Sequence, residues 1–234
     1  MSYQPLEGDP KRQAIPALRG YIYQIWHTVL DWITLEKDEV LYIEGAEDID
    51  RIGGGKINET EIAEAKQIKS KSKNITLKSK DVVDSIVNYW RYKEKNDKKV
   101  FFRLVTTSSR GIESGEPFED ENGDLVKGLD LWDNLRSEGD LSELVSEIEN
   151  ILDDIDSSSA QSLSLFIQKS SDDQIRNELL KRISWDTECR RIEEVKDRIK
   201  ENLIRHGKDY SIPPSESVSA INDLLHSVSK KNNK

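Results

Sequence analysis

The sequence predicts an α/β fold in which a helix, antiparallel strands, a helix and a strand are followed by a helical C-terminal region. Three observations predict it. Apolar residues recur at helical spacing near the N-terminus, two strand-like runs flank a triple glycine, and amphipathic stripes fill the second half. The 234 residues are 35% hydrophobic and 34% charged. Mean hydropathy is −0.70, yet the apolar residues form ordered clusters, which argues against a disordered chain.

Pro16 stands where a first helical residue is expected, and Leu18, Ile22, Ile25, Val29 and Ile33 follow at helical spacing. Trp26 and Trp32 widen that stripe, and the helix is expected to run to about Glu36. Val40-Leu41-Tyr42-Ile43 predicts a short strand, with Glu44 to Ile52 continuing extended or after a bend. Gly53-Gly54-Gly55 predicts a turn, so Glu61 to Lys69 is expected to return as an antiparallel partner. Ser79 reads as the N-cap of a helix carrying Val82, Val83, Ile86, Tyr89 and Trp90. Lys99 to Thr107 has the texture of a buried strand. Residues 109–128 read as an acidic loop or insertion. Helices are expected near 129–137, 140–155, 172–184, 187–206 and 215–229, with Ser162 to Gln168 open between strand and helix. The resulting division is a core at 14–108, the acidic segment at 109–128, a helical region at 129–229 and a polar tail at 230–234.

Several function classes are excluded early. No stretch approaches the roughly 20 apolar residues of a membrane span, and the N-terminus lacks the features of a secretory signal. The single cysteine, Cys189, precludes an internal disulfide framework, and His27, His206 and His226 are too scattered for a zinc site. A cytoplasmic protein is expected. Gly53 to Gly55 lacks the Lys-Ser/Thr of a phosphate-binding loop.

The formal net charge of −10 conceals an asymmetry. From Glu113 to Asp173 there are 18 Asp and Glu against three Lys and Arg, a balance of −15. From Glu64 to Lys80 six lysines face one acid, a balance of +5. Since charges are screened over roughly 8 Å in physiological salt, a polyanion responds to the local patch. A lysine run is ordinarily a solvated face; here it adjoins residues capable of chemistry.

Those residues are Glu44, Asp48 and Asp50 on one side of the predicted hairpin and Gln67 and Lys69 on the other. Side chains alternate along a strand, so Asp48 and Asp50 share a face, as do Gln67 and Lys69. If the faces coincide, carboxylates, an amide oxygen and an ammonium converge. Hard oxygens suit Mg²⁺, which activates water and neutralises charge on a phosphodiester. Glu64-Ala65-Lys66 offers a competing E-x-K on the opposite face, and both registers cannot line one site.

Together, these residues resemble the PD-(D/E)xK nuclease superfamily in its D…QxK form, as in Mrr-like restriction endonucleases and the double-stranded-DNA endonuclease module of antiphage effectors, CBASS effectors and ATPase-coupled defence nucleases among them. The resemblance is carried by Arg19-Gly20-Tyr21-x-Tyr23-Gln24, Glu44-x-x-Glu47-Asp48-Ile49-Asp50, Gln67-Ile68-Lys69 and Val105-Thr106-Thr107-Ser108, and covers roughly residues 14–108. It implies a restriction-endonuclease-like core and a Mg²⁺-dependent (Mn²⁺-tolerant) endonuclease cutting double-stranded DNA with little sequence specificity. It also implies that Asp50 or Asp48 is the metal-binding acid, that Gln67 replaces the second acid and that Lys69 is the catalytic lysine. Glu44 and Gln24 would support the site. Lys71, Lys73, Lys78 and Lys80 would contact phosphates.

Other candidates read as structural. Asp153, Asp154 and Asp156 fall at a helix end and are expected to be solvated, Cys189 and His206 lack an orienting acid, and Trp26, Trp32 and Trp90 are expected in the core. No sensor, ATPase motif or cyclic-nucleotide pocket is legible. Activation is therefore expected from a fused sensor or ATPase, an activating partner subunit or homo-oligomerisation. The contrasting reading is a non-catalytic adaptor that binds a partner through its acidic helices.

Overall fold

The computed structural model describes residues 14–53, 61–216 and 219. Helix α1 spans Ala14–Ile33 and is followed by strands β1 (Val40–Ile43), β2 (Ile49–Gly53) and β3 (Ile62–Lys69). Helix α2 (Lys80–Lys95) then leads into β4 (Lys99–Thr106). Beyond lie a small hairpin of β5 (Phe118–Glu119) and β6 (Leu125–Val126), and helices α3 (Gly128–Asn134), α4 (Ser142–Asp153), α5 (Ser158–Lys169) and α6 (Asp172–Glu178). Strand β7 (Ile183–Asp186) and helix α7 (Ile192–Asp209) complete the order. The α/β class and the helix, antiparallel strands, helix, strand sequence are as the pattern predicts.

The five-stranded sheet runs β1-β2-β3-β4-β7. Its β1–β2 and β2–β3 pairs are antiparallel, and its β3–β4 and β4–β7 pairs are parallel, so it is mixed. Helix α2 supplies the crossover that a parallel β3–β4 pair requires. Alternation along β3 and β4 sorts the two cores. Ala65, Phe102 and Leu104 pack with Val82, Ile86, Tyr89 and Trp90 of α2 and with the helices that follow. Ile68 and Val105 face the other way, onto Tyr23, Trp26 and Val29 of α1 and Val195 and Ile199 of α7.

The structure corrects several expected boundaries. The helix expected over 172–184 ends at Glu178, and Ile183–Asp186 is the fifth strand, with Ile183 and Trp185 buried. Ile175 and Leu179 continue a helical spacing up to that point and mask the short alternation beyond it. Ser162 to Gln168 lies within α5. The acidic segment contains the β5–β6 hairpin and buries Glu113, whose carboxylate accepts from the backbone nitrogens of Leu77 (3.0 Å) and Gly128 (2.9 Å). Gly128 is needed there, because an added Cβ would strike the Glu113 carboxylate and Leu77.

Helix α1 turns Tyr23, Trp26 and Val29 inward, while Leu18, Ile22 and Trp32 are exposed, Trp32 by 54%. The aromatic Tyr23 thus replaces the Leu18 to Ile22 part of the expected stripe. Ser79 holds the N-cap position of α2, but its hydroxyl accepts from the Thr76 nitrogen (2.8 Å) rather than from the helix. Of the helix expected at 215–229, residues 215, 216 and 219 are helical and the rest lie outside the described residues, as do Gly54 and Gly55.

Candidate functional site

The β2–β3 register places Ile49 opposite Lys66 and Asp50 opposite Ala65. Asp48, immediately ahead of β2, sends its carboxylate across to the neighbouring strand, where Oδ2 accepts from the Ile68 nitrogen at 2.6 Å. The Ile68 carbonyl accepts from Gln24 Nε2 of α1 at 3.3 Å. Both backbone polar groups of the residue between Gln67 and Lys69 are therefore held by side chains, which fixes the end of β3.

Gln67 is buried and points toward α2. Its Nε2 donates to Glu47 Oε2 at 3.1 Å, and Ser85 Oγ lies 3.4 Å from its Oε1. The other Glu47 oxygen accepts from Asn88 Nδ2 (2.7 Å) and the Tyr92 hydroxyl (2.8 Å). Burial pushes the Glu47 carboxyl above its usual range, the adjacent Asp48 charge pushes the same way, and the hydrogen bonds from Tyr92, Asn88 and Gln67 oppose both. Two successive carboxylates held beside an amide in a partly buried place constitute an electrostatic load that a cation relieves.

Asp50 and Glu44 behave differently from expectation. Both oxygens of Asp50 are turned back on its own loop, accepting from the nitrogens of Ala46 (2.5 Å) and Glu47 (3.3 Å). Asp50 thus shapes the turn that presents Glu47 and Asp48. Glu44 adopts a positive φ of 54°, and its side chain is exposed and bonded to none of these residues. The structure therefore joins Gln67 to Glu47, sets Asp48 and Gln24 on the two backbone polar groups of Ile68, and leaves Glu44 aside. Lys69 ends β3 on the Gln67 face, and its ammonium has no hydrogen bond or ion pair among the described residues. Sequence reasoning passed over Glu47 as a site residue. Its trace was present in α2, where Ser85, Asn88 and Tyr92 put polar groups at helical spacing beside a buried stripe.

The hard oxygens here are those of Glu47 and Asp48, which suit a magnesium-like ion that keeps several waters, while the Gln67 amide turns its nitrogen to Glu47 and its oxygen to Ser85. Among the described residues no three His, Cys, Asp or Glu side chains converge as a metal-ligand group.

The competing Glu64 and Lys66 lie on the opposite face. Lys66 Nζ is buried against the Asp31 carboxylate at 2.6 and 2.8 Å, and Glu64 lies 3.9 Å from Lys66 and 3.3 Å from Arg103. His27, near this pair, has its pKa lowered from 6.5 to about 4, chiefly by burial, with Lys66 and Arg198 adding to the shift and Asp31 opposing it. Because the unfolded chain protonates His27 first on acidification, this group's stabilisation is complete above pH 6.5 and disappears as pH falls toward 4. The expected loss is about 3 kcal/mol at most. Urea denaturation at pH 7 and pH 4.5 checks this, and the difference shrinks in His27→Gln.

Three of the four lysines expected to meet phosphates are already paired. Lys71 pairs with Asp81, Lys78 with Glu147 of the acidic helix α4 (2.8 Å) and Lys80 with Asp84 (2.6 Å). Lys73 is exposed and without an ionic partner among the described residues. Asp153, Asp154 and Asp156 are exposed. Cys189 and His206 do not meet: the thiol donates to the Asp186 carbonyl (3.2 Å) and burial raises its pKa, while His206 Nε2 lies 3.1 Å from the Ile33 carbonyl.

No family model matches the chain, and no curated protein matches it in sequence. Among solved structures, the Cap4 SAVED/CARF-domain containing receptor of Acinetobacter baumannii with the cyclic trinucleotide 3′3′3′-cAAA is similar at 14% identity and a TM-score of 0.40, over 79% of this chain and 37% of that one. The Cap4 SAVED/CARF-domain containing receptor of Moraxella osloensis is similar at 13% identity and a TM-score of 0.41, over 86% of this chain and 40% of that one. The chain spans about two fifths of the length of these receptors. No helix among the described residues is long and apolar enough to cross a membrane.

Proposed function

We propose that the chain is a Mg²⁺-dependent endonuclease of double-stranded DNA with little sequence specificity, the effector module of a bacterial antiphage system. The observation that carries this reading is the meeting of Glu47, Asp48 and Gln67 where β2 and β3 run together, with Lys69 next on the Gln67 face. Asp48 and Glu47 would hold the ion, which when bound supplies an activated water and neutralises phosphate charge, and Gln67 would join them by turning its amide oxygen from Ser85. Lys69, free of internal partners, stabilises the charge that builds on the phosphate. Asp50 positions the loop through Ala46 and Glu47 rather than touching the ion.

The test is cleavage of supercoiled plasmid with Mg²⁺ titrated in, comparing the natural chain with Asp48→Asn and Asp50→Ala. Asparagine retains an acceptor for the Ile68 nitrogen but removes the charge, so Asp48→Asn is expected to lose cleavage while keeping its fold. Absent cleavage by the natural chain at every Mg²⁺ concentration favours the adaptor reading. The internal pairing of Lys71, Lys78 and Lys80 is the observation on that side.

DNA binding is expected to weaken with salt. Lys73→Ala lowers the slope of log affinity against log salt by about 1, the value for one lost phosphate contact. Alanine at Lys71, Lys78 or Lys80 changes the slope less, because each lysine exchanges an internal carboxylate for the phosphate. Filter binding over a salt series measures all four.

A further inference from the structure

On the opposite face of the sheet from Gln67 and Lys69, α1, the strands β2 to β4 and the start of α7 line an open cavity of about 680 Å³. That volume is in the range of small-molecule sites. The lining mixes apolar side chains with ionic ones, and its carboxylates are largely occupied. Asp31 is taken by Lys66, Glu39 by Arg51, and Glu64 and Asp186 by Arg103. The remaining one, Glu188, accepts from the Ser109 hydroxyl.

The cationic side is not occupied to the same degree. The Nε atoms of Arg51 and Arg103 are buried with no hydrogen-bond partner, the Asp186 carboxylate standing 3.7 Å from that of Arg103. Buried guanidinium N–H groups left without acceptors are costly, so a ligand that brings acceptors gains what the protein alone forgoes. Arg190 and Arg198 also line the cavity, and neither guanidinium has an ion pair among the described residues. Each wants an oxygen acceptor, and arginine's fork matches the geometry of a phosphate.

We propose that this cavity binds a small phosphorylated molecule of up to nucleotide size, its phosphate held by Arg51, Arg103 and Arg198. The site is separate from the endonuclease reading and does not depend on it. Its natural source is either free phosphate or the phosphate of a nucleotide.

The experiment follows the arginine Nε–H resonances of the full chain by NMR while inorganic phosphate, adenosine monophosphate or adenosine is added. Saturable shifts at Arg51 and Arg103 are expected with phosphate and with the monophosphate, and none with adenosine. A stronger response to the monophosphate identifies a nucleotide site, and equal responses identify a phosphate site. Arg198 is exposed and unpaired, so Arg198→Ala keeps the fold, and it is expected to weaken binding about tenfold, the worth of one charged hydrogen bond. Lys69→Ala is expected to leave binding unchanged. The proposal is overturned if millimolar phosphate and monophosphate move neither resonance, if adenosine acts equally, if Arg198→Ala binds as the natural chain does, or if Lys69→Ala abolishes binding.

Discussion

Lys69→Ala is expected to lower the rate of DNA cleavage by about 10²- to 10³-fold, the range seen when one preorganised stabiliser of developing charge is removed. The same substitution is expected to alter stability by no more than about 0.5 kcal/mol, because the ammonium it deletes holds no internal partner. That separation makes the experiment decisive. Single-turnover cleavage at saturating Mg²⁺ measures the first quantity and thermal denaturation the second. An undiminished rate in a folded variant removes Lys69 from the chemistry and leaves the competing face of Glu64 and Lys66 as its seat.

The largest stability effect is expected at Asp31 and Lys66. Both residues are buried, at 8% and 7% exposure, and their charges meet at 2.6 Å. Asp31→Ala leaves an ammonium without its carboxylate beneath α1, and the expected cost is about 3–5 kcal/mol. Replacing the pair together, Asp31→Leu with Lys66→Met, removes both charges and is expected to regain most of that loss, since an apolar pair of similar volume avoids the desolvation of two ions. Urea denaturation of the single and double variants measures the difference. The double variant also discriminates between the two lysine registers. Retained DNA cleavage assigns the chemistry to Lys69, whereas its loss with the fold intact assigns it to the face of Glu64 and Lys66.

The order of the first six elements was legible because each carries its own period. The helical spacing of α1 and α2, the short apolar runs of β1 and β4, and the glycines after β2 are local properties of sequence. The shared face of Gln67 and Lys69 was likewise legible, as alternation within one regular strand requires nothing else. Parity failed one residue beyond the strand. Residues 44–48 form a loop in which Glu44 takes a left-handed conformation, so counting by twos back from Asp50 says nothing about where Glu44, Glu47 or Asp48 point. Placing Glu47 required knowing that Asn88 and Tyr92 of α2 lie across from it, a long-range contact with no local signature. Strand β7 was hidden for a related reason. Four residues are too few to establish a period against a preceding helix, and their strand character comes from pairing with β4.

That last pairing has a consequence for how the molecule is made. Because Ile183–Asp186 borders Lys99–Thr106, more than seventy-five intervening residues must emerge from the ribosome before the sheet can be finished, and α7 must follow before Ile68 and Val105 are covered. A chain stopped after β4 presents a bare strand edge to its neighbours, an invitation to intermolecular pairing. Release of a competent product therefore waits on the arrival of the distal half, which ties the N-terminal portion to its helical companion during synthesis as well as in the finished protein.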